Sequence, residues 1–216
     1  MEKLIETLKQ FEKKAILVSN ETGLYNLFKE LAPAFLYGGY IKVRDDFKVY
    51  IRTVEFYFHS EKVDGIHDPI VYHRNGKDLE EVPYFPLMTL HAHNSGFDIT
   101  FESETGKYRA SALIRTYEVK DKNDEYLTWD KKKSMFVKSK EYGQNTQSTY
   151  LYALLNGFAL GNENDIKWID SLNTKTKDIT EKPRQNVFQS ESKWEYKPTK
   201  GSRCKRNWSF TREDHV

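Results

Sequence analysis

Cysteine is nearly absent: Cys204 stands alone among 216 residues. That excludes an internal disulfide and fits a reducing compartment, so the expectation is a cytoplasmic protein. No apolar run approaches the length of a membrane span. The N-terminal MEKLIETLKQFEKK is amphipathic and charged, without an apolar core of signal-peptide length. The eleven glycines build no phosphate-cradling loop, and Walker motif, CxxC and internal repeat are all missing. Hydrophobic residues make up only 38% of the chain, but aromatics supply 14%. Large rings bury much area per residue, so this composition describes a folded protein with a decorated surface or groove rather than disorder. The length suits one substantial domain with a full core.

The net charge is only +2, from 34 Lys/Arg against 32 Asp/Glu. It is unevenly spread. Residues 173–216 hold 11 basic and 6 acidic side chains, a net +5 that leaves −3 for the rest. Basic residues there interleave with Trp194, Tyr196, Trp208 and Phe210. Lys200, Arg203, Lys205 and Arg206 are the candidates for phosphate contact. A solvated surface segment is the alternative.

One stretch organises the chain: Phe47 to His59, FKVYIRTVEFYFH. Its regular alternation predicts a β-strand with Phe47, Val49, Ile51, Thr53, Glu55, Tyr57 and His59 on one face. That face starts apolar and ends with a carboxylate between a phenol and an imidazole. A carboxylate on an apolar face is costly unless paired or used. Arg115 is a partner that would make Glu55 structural; a reaction needing a base would make it catalytic.

Around this strand, Leu4, Leu8 and Phe11 predict a helix over 2–14. Asn20 or Thr22 caps a second helix carrying Leu24, Leu27, Phe28 and Leu31, which Pro33 is expected to bend or stop. A hairpin joins Tyr40–Val43 to the central strand. Residues 60–86 read as loop from their turn chemistry. Strands are expected over Leu87–His91, Phe97–Ser103 and 107–119. Asp121–Lys133 reads as a surface loop or hairpin with Trp129 buried at its base, and a further helix covers Gln147–Phe158.

Several of these pieces resemble, in order, the alkyladenine (3-methyladenine) DNA glycosylases. Leu31-Ala32-Pro33-Ala34-Phe35-Leu36-Tyr37-Gly38 is similar to that family's LA-x-x-FLG segment. Thr53-Val54-Glu55-Phe56-Tyr57 is similar to its Glu-x-Glu-x-Tyr strand, with Thr53 replacing the first Glu. His67, Arg74-Asn75 and Met88 follow in family order. Ala112 to Glu118 resembles its V-L-[LI]-R-A-x-E-P strand, Lys182 to Val187 its P-R-[IV]-G-[IV] strand, and Trp208-Ser209-Phe210 its W/L-R-F end. The tyrosine-rich hairpin of the family is replaced by Leu90-His91-Ala92-His93-Asn94-Ser95-Gly96, where only Gly96 matches. The resemblance implies a single α+β domain over 1–216, a curved, mainly antiparallel sheet with flanking helices. It implies a monomer acting on double-stranded DNA with a modified purine, without metal or organic cofactor. Glu55 would activate water, with Arg115 beside it. Tyr57 and His67 would flank the base, and His91 and His93 stand where stacking residues are expected.

Two other readings remain open. His59, His67, His73, His91 and His93 fall within 35 residues, with Asp68 and Asp98 nearby. His-x-His on a strand puts both imidazoles on one face, which suits a metal-dependent hydrolase, although no recognised ligand spacing is present. A non-catalytic module holding a nucleotide or damaged base in an aromatic groove is the other.

Overall fold

The computed structural model describes residues 2–68, 71, 79, 82–93, 96–139, 150–155, 165–171, 178–185, 187–189, 202–203 and 205–213. Its first helix, α1 (Glu2–Ala15), turns Leu4, Leu8 and Phe11 inward, and Phe11 stacks on Phe28 of α2 (Glu21–Leu36) at 5.7 Å. Asn20 caps α2, its Oδ1 accepting from the Gly23 N–H at 2.8 Å, as the N-cap pattern predicts. Pro33 does not stop this helix. The helix continues to Leu36, and the Tyr37 N–H donates to the Pro33 carbonyl at 2.9 Å. A proline removes one helical hydrogen bond; burying Leu31, Ala32, Phe35 and Leu36 around it offsets that loss.

The strands follow as β1 (Gly39–Val43), β2 (Phe47–Ser60), β3 (Leu90–His93), β4 (Gly96–Thr100), β5 (Tyr108–Asp121), β6 (Tyr126–Asp130), β7 (Met135–Lys138), β8 (Ile166–Asp170) and β9 (Ile179–Lys182). Two short strands, β10 (Phe188–Gln189) and β11 (Ser202–Arg203), pair with each other, and β12 (Ser209–Arg212) closes the chain. A five-residue helix, α3 (Leu151–Leu155), falls within the predicted 147–158 segment; the rest of that segment lies outside the described residues. Among the described residues ten strands form one curled antiparallel sheet, β3-β4-β5-β2-β1-β8, with β12 also on β2, β9 on β12, and the β6–β7 hairpin on β5. The fold is α+β. No helix among the described residues is long and apolar enough to cross a membrane. The segment expected as loop or hairpin is the β6–β7 hairpin, and Trp129 is half-buried rather than buried, stacked on Tyr150 at 4.9 Å and edge-on to Phe136 at 5.1 Å.

The β2–β5 ladder runs from Phe47↔Asp121 to Ser60↔Tyr108 with two breaks in register. Ile51 pairs with Tyr117 and Thr53 with Thr116, so the ladder skips Arg52. Val54 then pairs with Ile114, so it skips Arg115. One extra residue turns every following side chain to the other face. The core face of β2 is therefore Val49 and Ile51 before the break, and Val54, Phe56 and Phe58 after it. The expected single face from Phe47 to His59 is overturned. Thr53, Glu55, Tyr57 and His59 lie opposite Val49 and Ile51. The same break divides the neighbours of β2: β1 pairs with Phe47–Val49, whereas β12 pairs with Thr53–Glu55. Helices α1 and α2 cover the apolar face, where Phe28 stacks on Phe56 at 4.7 Å and Trp208 meets Phe28 edge-on at 5.2 Å. The opposite face carries the charges.

Candidate active site

Glu55 sits on that polar face with 0% of its side chain exposed. Its Oε2 accepts from Arg115 Nη2 at 2.5 Å and from the Tyr57 hydroxyl at 3.1 Å, and its Oε1 accepts from the Gln185 N–H at 2.9 Å. Arg115 reaches it because the register break aims an otherwise alternating side chain toward β2. Burial works against the Arg115 charge, but the Glu55 carboxylate outweighs it and the guanidinium pKa is raised. Burial, reinforced by Glu55, pushes the Tyr57 phenol well above its ordinary value, so Tyr57 is a neutral donor here. The structure thus brings together three residues singled out in the sequence: Glu55, Tyr57 and Arg115.

It adds residues that sequence reasoning missed. Arg184 grips Asp68 through two hydrogen bonds, 2.5 and 3.0 Å, with both side chains at 0% exposure. The same guanidinium donates to the Phe56 carbonyl at 3.1 Å and lies over the Tyr57 ring at 4.4 Å and the Trp208 ring at 5.0 Å. Asp68 also accepts from the Phe58 N–H at 3.2 Å. Arg109, expected only as part of a strand, donates to Glu61 and to the carbonyls of Leu79, Val82 and Pro83, fastening that segment over the polar face. Val71, Leu79 and Val187 pack with Tyr57 and Leu113 into a small second core there. Farther along, Thr116 donates to Thr53, which shares a hydrogen bond with Thr211, and Glu118 pairs with Arg52 at 3.1 Å and Arg212 at 3.2 Å. The proximity of Asp68 and Asp98 to the histidines was visible in the sequence. Arg184 lies 116 positions from Asp68, and no local pattern joins them.

The four histidines among the described residues divide into two sets. His67 is exposed, its Nε2 3.3 Å from the Val63 carbonyl, and its ring meets His59 edge-on at 5.1 Å. Burial first, then His67, lowers the His59 pKa to about 4. His91 and His93 share one face as expected, with ring centroids 6.2 Å apart, and Phe85 lies 4.6 Å from His91. His93 Nε2 stands 3.3 Å from Asp98 Oδ2. Among the described residues no group of three or more His, Cys, Asp or Glu side chains could hold a metal ion. His73, Arg74 and Asn75 lie outside the described residues.

Of the basic C-terminal candidates, Lys205 is exposed and Arg203 lies on β11, while Lys200 falls outside the described residues. The Arg206 side chain is only 8% exposed: it donates to Glu21 at 2.5 Å and to the His67 carbonyl at 2.9 Å, over the Trp208 ring at 4.7 Å. No protein-family model matches this chain, no curated protein matches it, and no solved structure matches it.

Proposed function

We propose that the protein hydrolyses the N-glycosidic bond of a modified purine flipped out of duplex DNA, with Glu55 as general base. The observation that supports this reading is the setting of Glu55. Its charge is balanced by Arg115, and three donors hold the carboxylate in one orientation. A base that abstracts a proton from water gains most when it is already oriented and desolvated. Glu55 removes the proton as the water oxygen attacks C1′. Arg115 positions Glu55 and offsets its charge, and Tyr57 donates to the same oxygen. His67, His91 and His93 flank the base, and Arg203 and Lys205, with Lys200, meet the phosphates, while Arg206, bonded to Glu21 and the His67 carbonyl, is held in the fold. The reaction needs no metal or organic cofactor. Because the Glu55 side chain is fully buried, substrate reaches it only when neighbouring side chains move.

A specific observation favours a second reading, a non-catalytic module for a nucleotide or a damaged base. Both Glu55 oxygens already have donors, and Arg184 occupies one face of the Tyr57 ring. One experiment separates the two. Purified protein is incubated with duplexes carrying alkylated or deaminated purines, and base release is measured for the native chain and for Glu55→Gln. Release that falls at least 10²-fold in the variant supports catalysis. Lesion binding without release by the native chain supports the module.

A further inference from the structure

Four lysines from four strands fall into one line across the sheet. Lys167 of β8 pairs with Lys42 of β1, Lys42 with Lys48 of β2, and Lys48 with Lys120 of β5. Tyr126 of β6 ends the line opposite Lys120. Directly paired residues point to the same face. This face lies opposite the core residues Val49 and Val119, so it is the face that carries Glu55. Along β2 the row stands seven residues before Glu55, roughly 20 Å away. Like charges set directly opposite one another destabilise a sheet. Lysine commonly guards sheet edges, but Lys42, Lys48 and Lys120 each have a paired strand on both sides. Edge protection therefore does not account for them. Lys42 meets Asp45 at 2.5 Å and Lys48 meets Asp124 at 2.7 Å, and these carboxylates are 94% and 61% exposed, where an ion pair contributes little. Lys120 instead sits among rings, 4.4 Å from the Tyr126 centroid and 5.5 Å from that of Tyr50. Tyr50 packs on Tyr40 at 5.1 Å, and all three tyrosines are half-buried. Tyr40 and Tyr50 stand two residues from Lys42 and Lys48, so they form a second row beside the first on the same face.

We propose that this row is a track for single-stranded nucleic acid, its lysines meeting successive phosphates and its tyrosines stacking on unpaired bases. The track is separate from Glu55 and from the basic C-terminal segment, and it stands whether or not the protein releases a base. A polyanion brings what the row lacks, a counter-charge repeated at short intervals, and its binding releases condensed ions. Neighbouring strands lie about 4.8 Å apart, so the four lysine backbone positions span about 14 Å, enough for a short run of nucleotides. The rings select the single strand. Proteins that hold single strands combine cations along the backbone with aromatic faces for the bases, and sheet faces bearing aromatic residues serve this purpose in RNA-binding domains. In a duplex the base faces are already taken up by one another. An acidic peptide would pair with the lysines and leave Tyr40, Tyr50 and Tyr126 without a role.

Fluorescence anisotropy with a labelled oligothymidylate of about twenty nucleotides tests the track. The native chain is compared with a variant combining Lys42→Gln, Lys48→Gln and Lys120→Gln, and with Tyr40→Leu. The lysine variant should bind at least about tenfold more weakly. Its slope of log affinity against log salt should fall by about 2, at roughly 0.7 for each phosphate neutralised. Tyr40→Leu keeps every charge, so it should weaken binding about fivefold or more and leave that slope unchanged. The lysine variant should also melt no lower than the native chain, since opposed like charges are removed. Unchanged affinity in the lysine variant overturns the proposal, as does a native chain that does not bind the oligothymidylate. Equal affinity for the annealed duplex with oligoadenylate, without an effect of Tyr40→Leu, overturns it in favour of duplex. Displacement by polyglutamate, again without an effect of Tyr40→Leu, overturns it in favour of an acidic peptide. If the lysine variant fails to fold, Lys120→Gln alone reads the same contrast, with about a threefold loss expected and none overturning the track.

Discussion

Arg115 lies at a register break of the β2–β5 ladder and reaches Glu55 at 2.5 Å, joining a half-buried guanidinium to a buried carboxylate 60 positions away. Regular alternation would not place an arginine there. The extra residue bends the strand and re-aims one side chain, which is how bulges are commonly used beside functional groups.

Glu55→Gln keeps the shape of that side chain and removes its charge. Arg115, with 16% of its side chain exposed, is left without a counter-ion. Leaving one member of a buried pair uncompensated costs about 3–5 kcal/mol. The expected outcome is a lowered melting temperature together with loss of base release. Unaltered release in a destabilised protein would assign Glu55 a purely structural role.

The Asp68–Arg184 pair should matter as much to stability. Arg184→Met removes the partner of a fully buried carboxylate and the donor to the Phe56 carbonyl. Urea denaturation should show a loss of about 3–5 kcal/mol. Adding Asp68→Leu to Arg184→Met should recover part of it, because no orphaned charge then remains. Additive losses would mean that the two residues are not energetically coupled.

Two substitutions on adjacent residues report which face of β2 is the core. Phe56 packs on Phe28, Phe35, Phe101 and Phe210. Phe56→Ala should cost about 3–5 kcal/mol. Tyr57→Phe gives up one hydrogen bond to Glu55 and should cost about 1 kcal/mol. The reverse order in denaturant titrations would place the register break elsewhere.

His59 provides a pH test. Its pKa is about 4 in the folded chain, against 6.5 ordinarily, owing first to burial and then to His67. Between those values the unfolded chain binds more protons than the folded one. The His59 contribution is therefore fully present above pH 6.5 and is lost as pH falls toward 4. The loss is at most about 3 kcal/mol across that window. Melting temperatures taken from pH 7 to pH 4.5 should fall less steeply in His59→Gln than in the native chain. Parallel curves would remove His59 as the source.

Duplex binding through the basic C-terminal segment should weaken with salt by roughly 0.9 log units per log of salt for each phosphate neutralised. Replacing Lys200, Arg203 and Lys205 by Gln should reduce that slope. Arg206 is better left intact, since its bonds to Glu21 and His67 tie it to the fold. A slope unchanged in the triple variant would take this segment out of the interface.

Local pattern alone determined much of this protein. Helical spacing located α1 and α2, turn residues located the hairpins, and period-two alternation located β2 and β5, because neighbours along the chain decide which backbone form buries apolar side chains. The pairing of Glu55 with Arg115 was also legible as a carboxylate and a guanidinium on two central strands. The face on which they meet was not. Alternation cannot reveal a skipped residue, since a bulge at Arg52 is written in the pairing of two strands rather than in either one. The Asp68–Arg184 clamp and the anchoring of Leu79, Val82 and Pro83 by Arg109 depend on contacts between segments folded together. Buried charges find their partners only after the apolar core has fixed where each strand lies. Only the tertiary structure therefore decided which polar residues became neighbours.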